Sequence, residues 1–297
     1  METRAEGGFG HCDFGYYEKG WLSEKYELHC HDFYEVYYFL EGDVDYVVEG
    51  QNYRPTPDSI LLFAPHVMHG VKINNPDIPY RRYTLHFSAD VLSPERRAFL
   101  LQAFVSPAEQ SSAKVYFENG KRFHIGTYFD SLVECESAKE DLRRELVSLN
   151  VEALLSRVAV MCEAEDETQI ASGSDTVSRI IRYLNRHLQE EINLDQLSER
   201  YYISKHHLNK IFRKATGTTV YDYLLRKRIS IARRMLMNGM GIQEAAAEVG
   251  FRDYSVFYRS YVRIVGHAPS VDKKGAASTA GAPPHRNTQA FGDFMDA

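Results

Sequence analysis

The sequence predicts a multi-domain α+β protein: an N-terminal antiparallel β-barrel of jelly-roll type with accompanying helices, followed by an all-α C-terminal domain. Three observations predict it. Short β-rich runs separated by turn residues fill positions 27 to 87, a helical period begins near residue 142, and a pair of similar helical units occupies the last third. Charge divides at the same place: residues 1–175 carry 16 Lys and Arg against 30 Asp and Glu, net −14, whereas residues 176–274 carry 18 against 9, net +9. At 297 residues the chain is long for one compact core, so two domains are expected. The expected layout is a barrel domain over 1–162, a linker over 163–175, a helical domain over 176–274 and a disordered tail over 275–297.

The elements follow in order. Tyr34 to Phe39 is β-rich, Glu41-Gly42-Asp43 reads as a turn, and Val44 to Val48 resumes the strand. Glu49 to Asn52 is a second turn, Ser59 to Phe63 and Arg82 to Phe87 follow as strands, and Pro55, Pro57 and Pro65 stand in connections. Short antiparallel strands at this spacing suggest a small barrel or jelly roll. Leu142, Leu146, Leu149, Ala153, Leu154, Val158 and Met161 then recur at helical steps, a stripe that can pack on the barrel, on a second copy of itself, or on both. EAEDETQIASGSD, residues 163–175, is acidic and small and holds no convincing period, which suits a linker. The tail after Lys274 is too poor in large apolar residues to build a core.

Composition excludes several classes. The 44% apolar and 26% charged shares suit a soluble globular protein. No apolar run reaches the roughly 18 residues that span a bilayer, and the start lacks a basic segment followed by an apolar one. Cys12, Cys30, Cys135 and Cys162 form no CxxC pair, so free thiols in a reducing cytoplasm are expected.

The last third repeats itself. Val177, Ile180, Ile181, Leu184 and Leu188 make an amphipathic helix, after which Asn193 precedes a short helix through Leu197. Ser204 caps a helix that Gly217 closes, and a long helix runs from about Val220 to Asn238. The second unit has a short helix over 242–249, a tight turn at Gly250-Phe251-Arg252, and a helix from Tyr254 capped by Asp253 and ended by Gly266. Short helix, tight turn and capped second helix make the helix-turn-helix plan, whose second helix enters the major groove. Such a helix needs an apolar face for the domain and a polar face for DNA. Leu208, Ile211 and Phe212 supply the first in unit one, with His206, Asn209, Lys210 and Arg213 outward; Phe257 and Tyr261 face inward in unit two, with Ser255, Val256, Arg259 and Arg263 outward. Amides and cations read base edges and bind phosphate, and the basic block is what phosphate neutralisation requires. The competing reading is a pair of ordinary solvated helices rich in Arg and Lys because these are good helix formers.

The stretch from Asn193 to Pro269 resembles the DNA-binding domain of AraC-type regulators. The residues that carry the resemblance are LDQLSERYYISKHHLNKIFRKATG, YLLRKRISIARRML, IQEAAAEVGFRDYSVFYRSYVR and GHAP, of which A-x-x-V-G-F-x-D-x-S-x-F-x-R is the most specific. The resemblance covers about a third of the chain and implies seven helices, with a long central helix between two recognition helices. By position it implies base-facing roles for His206, Asn209 and Lys210, then for Ser255 and Arg259, with Val256 touching a thymine methyl. Departures from the pattern are Ser198, Ala245, Tyr261 in place of Phe, and Asp272-Lys273 where Tyr-Arg commonly closes the domain. It also implies a bacterial, cytoplasmic homodimer that takes up an effector, often a sugar, in its N-terminal domain and acts on RNA polymerase, as an activator that recruits it or by blocking it.

His29-x-His31, Glu35, Gly42 and Pro65-His66-Val67-Met68-His69 resemble the two motifs of cupin barrels. Alternate residues of a strand share a face, so His29 and His31 are expected to point into the barrel. With Glu35 and His69 they form a donor set suited to Zn, Fe, Mn or Ni, making a divalent metal a candidate cofactor. The same residues, with Tyr37, Tyr46 and His86, are equally candidates for lining an effector pocket, or for core hydrogen bonds without metal.

Two functions other than a ligand-responsive regulator fit parts of the chain: a metal-dependent cupin enzyme with a helical appendage, and a DNA-binding protein without a ligand. An enzyme has no need of two capped recognition helices in a basic block, and a ligand-free binder has no need of the barrel motifs. Sequence therefore favours a one-component, non-enzymatic transcription regulator bound to double-stranded promoter DNA.

Overall fold

The computed structural model of the chain describes residues 3–9, 12–18, 28–104, 114–166 and 176–278. In its first half the β-branched and aromatic runs become strands because they pack well on a pleated, half-buried surface. The strands are β1 (Thr3–Phe9), β2 (Cys12–Tyr17), β3 (Tyr34–Glu41), β4 (Asp43–Val48), β5 (Gln51–Tyr53), β6 (Ile60–Phe63), β7 (His69–Asn75), β8 (Arg81–Phe87) and β9 (Tyr116–Phe117). Helices α1 (Pro94–Leu101), α2 (Ile125–Glu134) and α3 (Glu140–Asp166) accompany them.

The strands form two antiparallel sheets, ordered β1-β2-β8-β3-β6-β9 and β5-β4-β7. This corrects the expectation of a closed barrel: among the described residues no ladder joins the edges of one sheet to those of the other. The chain changes sheet at Gly42, between β3 and β4, and the two layers bury one core between them. Tyr46 of β4 packs across that core on Phe63 of β6 and on Tyr37 of β3, with ring centroids 6.3 and 4.7 Å apart. Hairpin β4–β5 turns on two residues, since Val48 pairs with Gln51. Glu49 and Gly50 fill the turn with φ of +47° and +76°, the left-handed pair that matches strand twist.

The apolar stripe expected along α3 divides between two faces. Val147, Val151, Leu154, Leu155, Val158 and Met161 are buried in the core, against α1, α2 and the sheet. Leu142, Leu146 and Leu149 lie on the opposite face and are exposed. The helix continues to Asp166, so it takes in the first residues of the segment read as a linker, whose remainder, 167–175, lies outside the described residues.

Seven helices follow among the described residues: α4 (Thr176–Arg186), α5 (Leu194–Tyr201), α6 (Lys205–Thr216), α7 (Val220–Met237), α8 (Ile242–Glu248), α9 (Tyr254–Val265) and α10 (Pro269–Ser278). Their start signals act as expected: the side chains of Asn193, Ser204 and Asp253 accept hydrogen bonds from the backbone N–H of Gln196, His207, and Ser255 and Val256. α10 reaches four residues past Lys274; the rest of the tail, 279–297, lies outside the described residues.

Two apolar clusters hold these helices, one in each unit. Ile229, Ala232, Leu236, Ala245, Val249, Phe257 and Tyr261 close the second unit. In the first, Val177, Ile180, Ile181, Leu184, Leu208, Phe212 and Tyr223 are joined by Met68, with Leu28 and Cys30 packed on the same cluster. The first helical unit therefore shares its core with the sheet domain. No helix among the described residues is long and apolar enough to cross a membrane, and none of the four cysteines forms a disulfide.

Candidate nucleic-acid interface and histidine cluster

The two second helices, α6 and α9, both pack on α7. Leu208 and Phe212 bury one face of α6, and Phe257 and Tyr261 bury one face of α9. The opposite faces are wet. His206, Lys210 and Arg213 are exposed and Asn209 half-buried, and the four line one shallow depression together with Lys214 and Thr219. On α9, Ser255 and Arg259 are exposed and Val256 is half-buried. Arg263 differs, because its guanidinium lies 3.6 Å from the carboxylate of Asp222 on α7.

The surplus of positive charge has two uses. Exposed Lys210, Arg213, Lys214 and Arg259 face solvent beside His206, whereas other cations brace the helices against one another. Arg228 donates to the backbone carbonyls of Leu188, Gly250 and Glu190, and Arg233 of α7 pairs with Asp272 of α10 at 3.3 Å, while Arg226 pairs at 2.7 Å with Asp222 one turn away on α7 itself. The departures at 261 and 272 answer one another. The Tyr261 hydroxyl, which Phe would lack, donates to the buried Asp272 carboxylate at 2.5 Å.

In the sheet domain the structure brings His29, His31, Glu35, His69 and His86 together. His29, His31 and His69 form one group whose ligand atoms lie within 4.8 Å of one another, and His31, Glu35 and His86 form a second. The route differs from the expected one. His29-x-His31 is not part of a strand; His29 makes an isolated bridge to His69, with N–H to carbonyl distances of 2.9 Å in both directions. Glu35 of β3 and His86 of β8 are direct partners in the ladder, which is why His86 joins a set that motif spacing alone limited to four residues.

Hydrogen bonding leaves this cluster short of protons. His31 Nδ1 lies 3.0 Å from the Phe33 carbonyl and its Nε2 lies 2.9 Å from Glu35. His69 Nδ1 lies 2.9 Å from the Val67 carbonyl and its Nε2 3.3 Å from Glu35. Every one of these partners can only accept, and a neutral imidazole carries one N–H. Burial lowers the His31 pKa to about 4, against the opposing effect of Glu35, so the ring is neutral at pH 7. His69 Nε2, buried, makes no hydrogen bond among the described residues. Burial alone would raise the Glu35 carboxyl, but the charge of His86 and the surrounding ring nitrogens hold it well below its ordinary value. Burial would lower His86 in turn, and Glu35, 3.5 Å away, holds it above its ordinary value.

Tyr37 and Tyr46 form a neighbouring group instead of joining the histidines. Both hydroxyls meet that of Tyr80, at 2.9 and 3.2 Å, and the Arg82 guanidinium lies 4.3 Å from the Tyr80 ring centre. Phe63 separates the two groups, stacked on His69 with ring centroids 4.0 Å apart. Tyr80 carried no motif, and only the fold brings it to this place.

Glu49, which sequence reasoning read only as part of a turn, is a third centre. It is buried and reaches out of the sheet domain to Lys227, Tyr223 and Asn185 of the helical units.

Two family models match the chain: "AraC-like ligand binding domain" over residues 11–113 and "Helix-turn-helix domain" over residues 197–275. An HTH-type transcriptional regulator of Bacillus subtilis, YbfI, is 26% identical over 238 residues, covering 79% of this chain and 82% of that protein. The HTH-type transcriptional activator RhaS of Escherichia coli is 21% identical over 259 residues, covering 83% and 87%. Among solved structures, ToxT from Vibrio cholerae is similar over 92% of this chain and 99% of its own, at 12% identity and a TM-score of 0.37.

Proposed function

The chain belongs to the AraC family of DNA-binding transcription regulators, and from that premise we propose that it is a one-component regulator whose sheet domain takes up a small molecule. One observation carries the reading: two capped helices, α6 and α9, are fixed on α7 by buried apolar faces and turn amide, hydroxyl and cationic side chains to solvent. In this reading Asn209 and Arg259 read base edges, Ser255 and Val256 add a hydroxyl and a methyl contact, and His206, Lys210 and Arg213 contact bases or phosphates. The exposed Leu142, Leu146 and Leu149 of α3 supply a homodimer contact. The dimer is cytoplasmic, and on its promoter it recruits or blocks RNA polymerase. Selection of bound sequences from a random DNA library, followed by Asn209→Ala and Arg259→Ala on the selected site, tests it. Loss of preference at individual base pairs is expected, and variants that bind selected and random DNA in the wild-type ratio would overturn the base-reading assignment.

The effector of this reading is a carbohydrate or similarly polar small molecule, met by the hydroxyls of Tyr37, Tyr46 and Tyr80 beside Arg82, and by the histidine cluster. Thermal-shift screening against mono- and oligosaccharides tests this, and a panel without a hit retires the class.

A second reading of the cluster is favoured by its missing protons. His29, His31, Glu35, His69 and His86 fit a divalent transition metal, because a cation resolves the contacts in which imidazole lone pairs face acceptors. Backbone carbonyls at Nδ1 of His31 and His69 would orient both Nε2 atoms as ligands. Bound there, a metal would supply a Lewis-acidic anchor for effector oxygens. Elemental analysis of protein purified without chelators decides it: near-stoichiometric metal lost in His69→Ala supports the reading, and its absence ends it.

A further inference from the structure

Residues 66–69, the end of the β6–β7 connection and the first residue of β7, are bonded on both sides. Toward the histidine cluster, the His66 N–H donates to the His31 carbonyl at 2.7 Å, the His69 N–H to the His29 carbonyl at 2.9 Å, and the His69 ring lies 2.9 Å from the Val67 carbonyl. Toward the helical units, the Lys227 ammonium donates to the His66 carbonyl, His66 Nδ1 lies 2.9 Å from Ser230 Oγ, and Met68 fills the core of the first helix-turn-helix unit.

Glu49 clamps the same segment. Its N–H donates to the Met68 carbonyl and its carboxylate accepts from the Met68 N–H, both at 2.8 Å. The remaining donors to that carboxylate come from the helical domain: Lys227 at 2.5 Å, Asn185 at 3.0 Å, and the Tyr223 hydroxyl. Its neighbour Gly50 sits so close to α4 that a Cβ there would run into Ile181, and Gln51 donates to Ser178 at 3.2 Å. Burial alone would raise the Glu49 carboxyl, but the Lys227 charge and these hydrogen bonds hold it below its ordinary value.

The apolar part of the connection is one-sided. Among the described residues, three from the sheet domain, Met68, Leu28 and Cys30, take part in the apolar cluster of the first unit, and none takes part in that of the second. The depression lined by His206, Asn209, Lys210 and Arg213 contains no described sheet-domain residue, so the contact leaves the recognition face of α6 open.

We propose that Glu49 and residues 66–69 form a coupling latch, through which the state of the histidine cluster is transmitted to α4 and α7 and so to the first helix-turn-helix unit. The proposal rests on the cluster's being part of the sensor site. A ligand that fixes His69 fixes the 66–69 segment, which keeps Met68 and the His66 carbonyl in place for α4 and Lys227. A loosened cluster frees α4 and α7 from the sheet domain. Coupling of this kind works by holding the recognition helix in position, not by covering it, and it is reciprocal: DNA that prefers one placement of α7 shifts affinity at the cluster.

Hydrogen–deuterium exchange of the full chain tests the latch without any ligand, so its failure is separate from a failure of the sensor reading. Four proteins are compared: wild type, His69→Asn, Glu49→Gln and the double variant. His69→Asn is expected to raise exchange in α4 and the first half of α7 by about 10-fold, with α8 and α9 unchanged. Glu49→Gln is expected to raise the same peptides, and His69→Asn to add nothing in that background. A response of His69→Asn confined to the sheets overturns the proposal, as do independent, additive effects of the two substitutions. If His69→Asn does not fold, His29→Asn, which keeps the buried His69 ring, takes its place with the same two outcomes.

Discussion

The Nζ of Lys227, on the helix that joins the two helix-turn-helix units, lies 2.5 Å from a carboxylate oxygen of Glu49, 178 positions earlier in the chain. Both side chains are only 7% exposed. A pair this deep has lost its hydration, so each charge depends on the other. Removing one partner strands a buried charge, whereas neutralising both strands none. Lys227→Met is therefore expected to destabilise the protein by about 3–5 kcal/mol. Glu49→Gln/Lys227→Met is expected to recover part of that loss, since a neutral amide oxygen can still accept from Met68, Asn185 and Tyr223. Urea denaturation of the two single variants and the double variant checks the cycle.

The same carboxylate sets a pH dependence. Its folded-state pKa lies below the ordinary value, so its contribution is complete above the unfolded pKa and is lost as pH falls through the folded one. Wild type is expected to lose stability faster than Glu49→Gln below about pH 4.5, by up to ~1.4 kcal/mol per pH unit for one proton. At neutral pH the two proteins share the same slope, and the full difference in stability between them persists. Denaturation curves collected between pH 3 and 7 measure it.

On the DNA side, Arg259→Ala and Asn209→Ala are each expected to cost about 1–3 kcal/mol on the selected site and to relax preference at one position. Arg213→Ala, outside the base-facing set, is expected to weaken binding evenly across sequences and to lower the salt slope by about 1. Arg263→Ala is expected to alter base preference least of the cationic variants on α9, because Asp222 already engages that guanidinium. Binding titrations at several salt concentrations separate these outcomes.

Tyr261 and Asp272 make a closed test of compensation. Tyr261→Phe removes the hydroxyl that donates to a buried carboxylate and leaves it the longer contact with Arg233, at 3.3 Å. A loss of about 1–3 kcal/mol is expected, as for any buried acceptor deprived of its donor. Asp272→Asn in the Tyr261→Phe background is expected to restore part of it, since a neutral amide costs less to bury than a carboxylate. Thermal melts of the second helical unit, followed through the full chain, read the difference.

The turn of each helix-turn-helix is solved differently. Gly250 has φ +86°, and a Cβ there would lie 2.5 Å from the Gln189 carbonyl oxygen, so the second turn requires glycine on two counts. In the first, Tyr202 holds the left-handed position with φ +54° and is 94% exposed. Tyr202→Gly is expected to stabilise by about 0.5–1 kcal/mol, because a non-glycine side chain is strained there and this one buries nothing. A raised melting temperature checks it.

Local rules made much of this protein legible from its sequence. Asn193, Ser204 and Asp253 cap helices because a short polar side chain on an extended residue satisfies N–H groups that no helix can satisfy internally. The inward residues Leu208, Phe212, Phe257 and Tyr261 follow from a 3.6-residue period, and the strands β3, β4, β6 and β8 from β-branched and aromatic runs. What depends on partners distant in the chain was not legible. The division of the α3 stripe was decided by which face met α1, α2 and the sheet. Two sheets, not a ring, resulted from how the strands paired. His86 entered the histidine cluster through its register with Glu35, and Glu49, one residue of a turn by its sequence, became a buried junction because α4 and α7 dock on its hairpin. Sequence by itself determined the strands β3, β4, β6 and β8, the helices α4 to α9 with their caps, and the outward chemistry of α6 and α9, since these rest on contacts within a few residues. In contrast, β1, β2, β5, β7, β9, α1, α2 and α10 carried no pattern strong enough to read. Tertiary structure alone decided which charges were desolvated and which loop touched both the histidines and the DNA-binding unit, because burial and long-range pairing exist only once the chain has closed on itself.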